Sequence, residues 1–172
     1  MQITSSILQQ FIDKAANTLL GDWVIIGGTV LPLIGVGFRV TLDIDIAGPK
    51  QHNASQTLAL MEIASELGLP VEAVNQAGAF FLHRIDGWEN NLALVKKGER
   101  ASIFRPNVTL FILLKIGRLS ESDFQDCMHF LKVARRLNEA PDIPRLKAAI
   151  QSEQQNENIH KKKRLKKILA AL

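Results

Sequence analysis

Two aspartates, Asp43 and Asp45, stand two positions apart in a segment whose polar and apolar residues alternate, "RVTLDIDI" at positions 39–46. The alternation predicts a β-strand, although aspartate is among the residues least favoured in strands. Two sets of side chains then face opposite sides: Val40, Leu42, Ile44 and Ile46 on one, Arg39, Thr41, Asp43 and Asp45 on the other. Both carboxylates are therefore expected on one face of the strand.

Two carboxylates that share a strand face repel each other. Residues two apart on a strand are separated by ~6.6 Å, where two like charges cost about 2–3 kcal/mol at an effective dielectric constant near 20. Arg39 precedes Asp43 by ~13 Å along the strand, so its side chain cannot lie between both carboxylates. A bound divalent cation offsets the repulsion, and Mg²⁺ binds carboxylate and phosphate oxygens together.

A glycine pair precedes the acidic segment. Gly27 and Gly28 follow the apolar run "WVII", and Thr29 leads into "VLPLIGV", which is predicted to be a short helix. A strand that enters a helix through glycines exposes backbone N–H groups at the helix N-terminus, which is a natural anion site. The Thr29 hydroxyl adds a hydrogen-bond donor.

Each motif alone has an ordinary structural explanation. A lone Gly-Gly is usually a turn, and a lone Asp-x-Asp is usually a solvated strand edge or turn. Their combination in one strand–turn–helix–strand unit favours function: a phosphate cradle beside a paired-aspartate metal site suits phosphoryl or nucleotidyl transfer.

Lys115 is the other residue whose position suggests chemistry, because it interrupts the apolar run "LFILLKIG" of a predicted buried helix. A buried lysine normally needs a partner, and Arg118 lies on the same helix face. Lys115 is interpreted as functional. For Arg118 and Asp126 two readings stay open: a place in the site, or an ion pair with an aspartate of "SDFQD" that fastens two helices.

The elements that position these residues follow an order of helix, strands, helices, which indicates an α+β or α/β fold. Helices are predicted from Ile7 to Leu19, after Asn53, after Asn107 and after Ser120, and two more helices follow Pro141. Beyond the two strands described above, "AFFLHRI", "NLALVKK" and "RASIF" are predicted to be strands of a hairpin or meander.

The composition is that of a globular domain, with 47% hydrophobic and 22% charged residues. The single cysteine, Cys127, excludes a disulfide framework and a cysteine-based metal site. No signal peptide and no membrane-length apolar run is recognised, so a cytoplasmic location is expected. Residues 160–172 hold six Lys/Arg and no acid, and the rest of the chain has a net charge of −2. The basic charge thus belongs to a C-terminal tail. One interpretation is that the tail is a helix that docks on the rest of the protein with its basic face in solvent. The other is that it contacts RNA or an acidic partner.

The glycine turn and the Asp43-Ile44-Asp45 strand resemble the signature of the polymerase-β-like nucleotidyltransferase superfamily. The likeness is nearest to small bacterial nucleotidyltransferase-like proteins of the AbiEii toxin type. Those proteins share an Arg-x-Thr-x-Asp-hydrophobic-Asp strand, and a lysine on an apolar helix followed by arginine and aspartate. The matching positions are Arg39, Thr41, Asp43, Asp45, Lys115, Arg118, Asp123 and Asp126.

The resemblance covers residues 20–135 and implies a mixed β-sheet flanked by helices; the N-terminal helix and the basic tail lie outside its motifs. Together with the predicted elements it divides the chain into a nucleotidyltransferase-like core over residues 1–106 and a helical part over residues 107–172, which packs on this core and ends in a basic helix at 159–172. It implies that Asp43 and Asp45 hold Mg²⁺ or Mn²⁺ and that these two residues and Lys115 are catalytic. The implied reaction transfers a nucleotide from a nucleoside triphosphate to a hydroxyl of RNA (for example tRNA) or of a protein. The nucleotide-binding residues it implies are Gly27, Gly28, Thr29, Arg39, Lys115 and Arg118. An antitoxin-like partner is implied as well, and no membrane.

Active members of the superfamily usually have a third carboxylate on a later strand. The expected region, "WENNLALV", has no strand aspartate, and Asn91 or a neighbour is predicted to take that place. Two alternatives follow: an acid such as Glu89 substitutes, or the chain is a nucleotide-binding or regulatory module without catalysis.

Overall fold

The computed structural model describes residues 3–37, 42–50, 54–155 and 158–172. The chain divides into two compact units, Met1–Pro106 and Asn107–Leu172. Each unit is described separately below.

A mixed β-sheet forms the centre of the first unit. Among the described residues it contains five strands: β1 (Gly21–Ile25), β2 (Ile44–Ala47), β3 (Val74–Asn75), β4 (Leu92–Lys97) and β5 (Ala101–Pro106). Their spatial order is β3-β2-β1-β5-β4. β1 pairs antiparallel with β2 and parallel with β5, β2 pairs parallel with β3, and β4 pairs antiparallel with β5. The predicted α+β class with a mixed sheet is confirmed.

The helices of the first unit are α1 (Ser5–Thr18), α2 (Val30–Leu33), α3 (Ala54–Glu66) and α4 (Ala79–Leu82). α1 contacts β4 and β5 as well as α3. Leu8, Phe11 and Ile12 recur at helical spacing, so they lie on one face of α1, and this face is buried. Trp23 of β1 and the aliphatic side chains of β1 and β2 are fully buried. The hydrophobic core of this unit therefore includes β1 and β2, and β2 bears Asp45.

β2 is shorter than predicted and begins only at Ile44. Ile44 and Ile46 are buried as expected, but Leu42 is 61% exposed, so the prediction that it shares their face is wrong. Leu42 and Asp43 lie in a bend before the strand, where the alternation of a strand no longer applies. Arg39, Val40, Thr41 and Asn53 lie outside the described residues.

The segment "AFFLHRI" is not a strand; its first four residues form α4. The amide of Leu82 donates to the Gly78 carbonyl at 3.1 Å and that of His83 donates to the Ala79 carbonyl at 3.0 Å, so these groups bond within the segment and not across a sheet. Leu82 alone of the four residues is buried. The predicted pairing of the two later segments is confirmed as the β4–β5 hairpin.

The second unit contains, in its described residues, the helices α5 (Val108–Ile116), α6 (Glu121–Ala134), α7 (Ile143–Glu153) and α8 (Ile159–Ala171). The Asn107 side chain caps α5 by accepting from the Leu110 amide at 3.0 Å. Ser120 and Asp123 form a reciprocal capping box at the start of α6. α8 contacts α6 and α7 and buries Leu165 and Ile168. No helix within the described ranges is both long and apolar enough to cross a membrane.

Candidate functional site

The glycine turn is joined directly to the acidic strand. β1 runs through Ile26 into a single 3-10 turn, Gly27–Thr29, which continues into α2. The Ile26 amide donates to the Asp45 carbonyl at 2.9 Å. Gly27 has a φ of +64°, a conformation that favours glycine. Gly28 is the middle residue of this turn. The backbone thus fixes the turn against β2.

Thr29 makes a second connection between the turn and the acidic segment. Its hydroxyl donates to the Asp43 carbonyl at 3.0 Å and accepts from the Asp45 amide at 3.2 Å. The side chain is fully buried. In this structure the hydroxyl therefore holds the backbone of both aspartates in place, and the predicted contact of Thr29 with a phosphate stays a prediction.

The Asp45 carboxylate lies against Gly27. A Cβ atom built on Gly27 would come within 2.1 Å of Asp45 Oδ2 and 2.8 Å of Asp45 Cγ, distances that real side chains do not reach. A residue with a side chain fits there only if the Asp45 side chain moves. The structure thus brings Asp45 and the glycine turn together, as the sequence predicts, and gives a steric reason for glycine at position 27.

Asn75 is a site residue that sequence analysis missed. β3 runs beside β2 with Asn75 in register with Asp45. The Asn75 side-chain nitrogen Nδ2 donates to Asp45 Oδ1 at 3.0 Å, and the side-chain oxygen Oδ1 of Asn75 accepts from the Ala77 backbone amide at 3.0 Å. Both ends of the amide are therefore fixed, and one oxygen of Asp45 is oriented by it. A two-residue strand leaves no periodic signal in the sequence, so no pattern could have identified this neighbour.

The expectation that Asn91 or a neighbour takes the place of a third carboxylate is wrong. β4 lies at the opposite edge of the sheet, separated from β2 by β1 and β5. Asn91 ends a 3-10 turn and donates to the Gly87 carbonyl at 3.0 Å, and Glu89 belongs to the same turn. The position beside Asp45 on the neighbouring strand is held by Asn75, an amide.

The donor set of this site fits a cation that shares its ligands with a substrate. Asp43 is exposed and Asp45 is half-buried. Within the ranges that the structure describes, no three His, Cys, Asp or Glu residues are grouped so as to hold a metal ion. Mg²⁺ keeps several waters and binds through one or two carboxylates plus substrate phosphates, so a pair of aspartates suffices for it.

In the second unit, Lys115 is a member of a buried ionic cluster. Its ammonium lies 3.0 Å from Asp123 Oδ1 and 3.0 Å from Asp126 Oδ2. Arg118 adds two hydrogen bonds to Asp123, at 2.7 and 2.9 Å. Two cations, Lys115 of α5 and Arg118 just after it, thus bind two aspartates of α6. These contacts match the interpretation in which Arg118 forms an ion pair that fastens two helices. The contacts of Lys115 and Arg118 with a nucleotide stay predictions, and Arg39 is outside the described residues.

Two side chains on α6 have shifted acid–base properties: Asp123 within the cluster and the buried Cys127 near it. Burial alone would raise the pKa of Asp123, but the hydrogen bonds from Arg118 and the charge of Lys115 outweigh it and hold the pKa well below its usual range. Burial raises the pKa of Cys127 to about 12, with Lys115 opposing the effect. The thiol form of Cys127 is therefore strongly favoured near pH 7.

A protein family, and not an individual protein or solved structure, matches the chain. No curated protein and no solved structure matches the chain. A family model described as "Nucleotidyltransferase of unknown function (DUF6036)" matches residues 3–171. This match spans nearly the whole of the 172 residues and includes both the glycine turn and the two aspartates. The chain therefore belongs to the DUF6036 family of nucleotidyltransferases.

Proposed function

We propose that the protein transfers a nucleotide from a nucleoside triphosphate to a hydroxyl of RNA or protein, with Mg²⁺ or Mn²⁺ as the required ion. The observation that supports this most is the packing of the Asp45 carboxylate against Gly27. It places an acidic group beside a turn whose backbone N–H groups suit a phosphate, which is the juxtaposition that a metal-bound triphosphate needs.

In the proposed reaction, the oxygen of the acceptor hydroxyl bonds to the α-phosphorus, the bond between the α- and β-phosphates breaks, and pyrophosphate leaves. The hydroxyl proton passes to water. Gly27 and Gly28 bind phosphate oxygens through the backbone, and Asp43 and Asp45 hold the cation. The cation would neutralise phosphate charge and orient the triphosphate. Asn75 and Thr29 keep the two aspartates in position through the hydrogen bonds described above.

The role of Lys115 in this proposal is to approach the nucleotide, as the resemblance to AbiEii-type proteins implies. The same resemblance supports a toxin-like role with an antitoxin-like protein as partner. Arg39 and Arg118 are proposed to contact the triphosphate.

A second candidate function is nucleotide binding without transfer, as a regulatory module of the same fold. It is favoured by Asn75, because an amide stands where the strand next to Asp45 could have supplied a third carboxylate. An amide cannot accept the proton of an attacking hydroxyl as a carboxylate can.

A label-transfer experiment separates the two candidates. Purified protein is incubated with each α-³²P-labelled triphosphate, Mg²⁺ or Mn²⁺, and total RNA or total protein. We expect label in one of the two polymers, lost in Asp45→Asn and kept in Asp22→Asn, which changes an exposed aspartate of β1. Triphosphate binding without any label transfer would instead favour the regulatory module. Transfer that persists in Asp45→Asn would contradict the proposed site.

A further inference from the structure

An exposed aromatic surface on and just after α4 is not used by the function proposed above. Phe80 is 60% exposed and Phe81 is 62% exposed, among the highest values for large apolar side chains in the described residues. Arg84 follows within one helical turn and is exposed as well. We refer to Phe80, Phe81 and Arg84 as the aromatic surface.

The three side chains form an ordered group. The rings of Phe80 and Phe81 are 5.4 Å apart between centroids and stand at 85° to each other. The Arg84 guanidinium lies over the Phe80 ring, with its carbon 4.8 Å from the centroid. This contact is a cation–π interaction, which holds a positive charge beside an exposed π system.

The aromatic surface adjoins the candidate site. A Cβ atom at Gly78, immediately before α4, would come within 2.3 Å of Ile26 Cδ1, so the start of α4 is pressed against the residue that precedes the glycine turn. α4 also contacts β2, the strand that bears Asp45. Three residues before Gly78, Asn75 bonds to Asp45. The aromatic surface is therefore fixed to both halves of the site.

We propose that the aromatic surface binds a single-stranded RNA acceptor by stacking its bases on Phe80 and Phe81, with Arg84 beside the phosphate backbone. The inference rests on the proposed function, whose acceptor class it narrows to RNA. Single-stranded RNA is recognised by aromatic rings and arginine planes that stack on splayed bases. The chemistry of the surface matches that ligand in both its π systems and its charge.

The size of the surface favours bases over a protein partner. A phenylalanine buries at most about 150–250 Å², so two of them fall well short of the roughly 800 Å² per partner of a stable protein interface. One or two stacked bases need only the area of the rings themselves. An exposed position also suits the acceptor strand better than the donor base, because small ligands are mostly enclosed in clefts.

The test measures RNA binding without any triphosphate, so its outcome does not depend on transfer. The full chain is titrated against a fluorescein-labelled single-stranded RNA of mixed sequence, about twelve nucleotides long, and the anisotropy is recorded. Phe80→Ala combined with Phe81→Ala should weaken binding about tenfold or more, and Phe81→Trp should restore part of the loss in the Phe80→Ala background. Arg84→Ala should weaken binding and reduce its salt dependence, whereas Arg84→Lys should keep the salt dependence.

Leu58→Ala combined with Leu94→Ala is the matched control, since Leu58 is 59% exposed and Leu94 is 56% exposed, and neither belongs to the aromatic surface. We expect wild-type affinity for it. RNA binding that is equal in the wild type and the Phe80/Phe81 double variant would overturn the proposal, and so would a wild type that binds no RNA. A monomer–dimer equilibrium lost only in the double variant would assign the surface to self-association and overturn it as well. Failure of Mg²⁺–triphosphate binding, measured separately, would count against the proposed function alone.

Discussion

Gly27 is the residue whose replacement most directly disturbs the site. Gly27→Ala places a methyl group where the Asp45 carboxylate lies, so Asp45 must move. We expect the affinity for a metal-bound triphosphate to fall at least about tenfold, or about 1.4 kcal/mol, because the displaced Asp45 carboxylate would no longer lie beside the turn. Isothermal titration calorimetry with Mg²⁺ and ATP, GTP, CTP or UTP measures this loss.

Gly68→Ala is the control for Gly27→Ala. Gly68 has nearly the same φ, +65°, but a Cβ atom there meets nothing within 4 Å. Both changes place alanine in the left-handed region at a cost of about 1–2 kcal/mol. If Gly68→Ala weakens nucleotide binding as much as Gly27→Ala does, backbone strain and not the Asp45 contact explains the effect.

Asn75→Asp tests whether the Asp45 carboxylate belongs to a cation site. The change places a second carboxylate where the amide now donates at 3.0 Å. Two like charges about 4 Å apart repel by about 4 kcal/mol near a protein surface, and closer charges repel more strongly. We expect a lower melting temperature in EDTA and a rise with Mn²⁺ that exceeds that of the wild type.

Asn75→Ala is the comparison for Asn75→Asp, because it removes the hydrogen bond without adding a charge. It should lose about 1 kcal/mol of stability and show no enlarged response to Mn²⁺. A Mn²⁺ response of Asn75→Asp no larger than that of Asn75→Ala would contradict a cation site at Asp45.

Single residues differ in how far the sequence predicts them. The sequence predicts Asp45 and Gly27 as site residues from their spacing. Two carboxylates on one strand face repel each other, and a glycine pair before a helix suits an anion, so both patterns indicate a site. Thr29 is found, but its hydrogen bonds to the acidic segment follow only from the folded backbone. Asn75 is invisible in the sequence, because its importance comes from strand pairing across thirty residues of chain.

Among the elements, α8 contains a run of basic residues, and some of them make contacts within the second unit. The Lys161 ammonium donates to the Gly117 carbonyl, just after α5, and to Glu153 of α7. Arg164 donates to the Leu119 carbonyl at 2.7 Å and to Glu121 at 3.0 Å. Leu119 has a positive φ of 39°, and its amide donates to the Lys115 carbonyl at 2.8 Å. Two of the six cations of the tail thus stabilise the connection between α5 and α6.

Lys161→Ala should therefore destabilise the protein by about 1–3 kcal/mol, since the Gly117 carbonyl and the partly exposed Glu153 carboxylate lose this buried donor. Lys163→Ala changes an exposed lysine of the same helix and should stay within about 0.5 kcal/mol of the wild type. Urea unfolding followed by circular dichroism measures both. Equal stabilities would show that the Lys161 contacts do not stabilise the fold.

The α5–α6 cluster predicts a dependence of stability on pH. The pKa of Asp123 is lowered in the folded protein, so its stabilisation is complete above the ordinary carboxyl pKa of about 3.9. Below that pH the unfolded state binds the proton first, and the stabilisation is lost as the pH falls towards the folded pKa.

Asp123→Asn removes this titration. Between pH 4 and pH 3, the free energy of unfolding of the wild type should fall more steeply than that of Asp123→Asn, by up to about 1.4 kcal/mol per pH unit. Urea unfolding at several pH values measures the two slopes. Parallel slopes would mean that the pKa of Asp123 is the same in the folded and unfolded states.

Elements with caps or long periodicity are predicted well from the sequence. α5 and α6 begin where Asn107 and Ser120 place their caps, and the β4–β5 hairpin follows its turn residues. α4 was missed because four residues are too few for a helical period, and two adjacent phenylalanines are typical of strands. β3 was missed because it has only two residues.

At the scale of the whole molecule, charge is divided unequally along the chain. Residues 1–106 contain eight Lys/Arg and ten Asp/Glu, whereas residues 107–172 contain thirteen and seven. The net charge of the first unit is thus slightly negative although it contains the glycine turn. In the proposed function, a phosphate ligand there would be held by local N–H groups and a cation and not by a general positive field.

Our central proposal is that this protein binds a triphosphate through a divalent cation at Asp43 and Asp45. The family membership, the fold and the contact between Asp45 and Gly27 support it. Calorimetric titration of the full chain with each triphosphate, in Mg²⁺ and in EDTA, tests the claim most directly. We predict binding that requires Mg²⁺, is abolished in Asp43→Ala combined with Asp45→Ala, and is unchanged in Asp22→Ala. Binding of equal strength in the double variant, or no binding by the wild type to any of the four triphosphates, would contradict it.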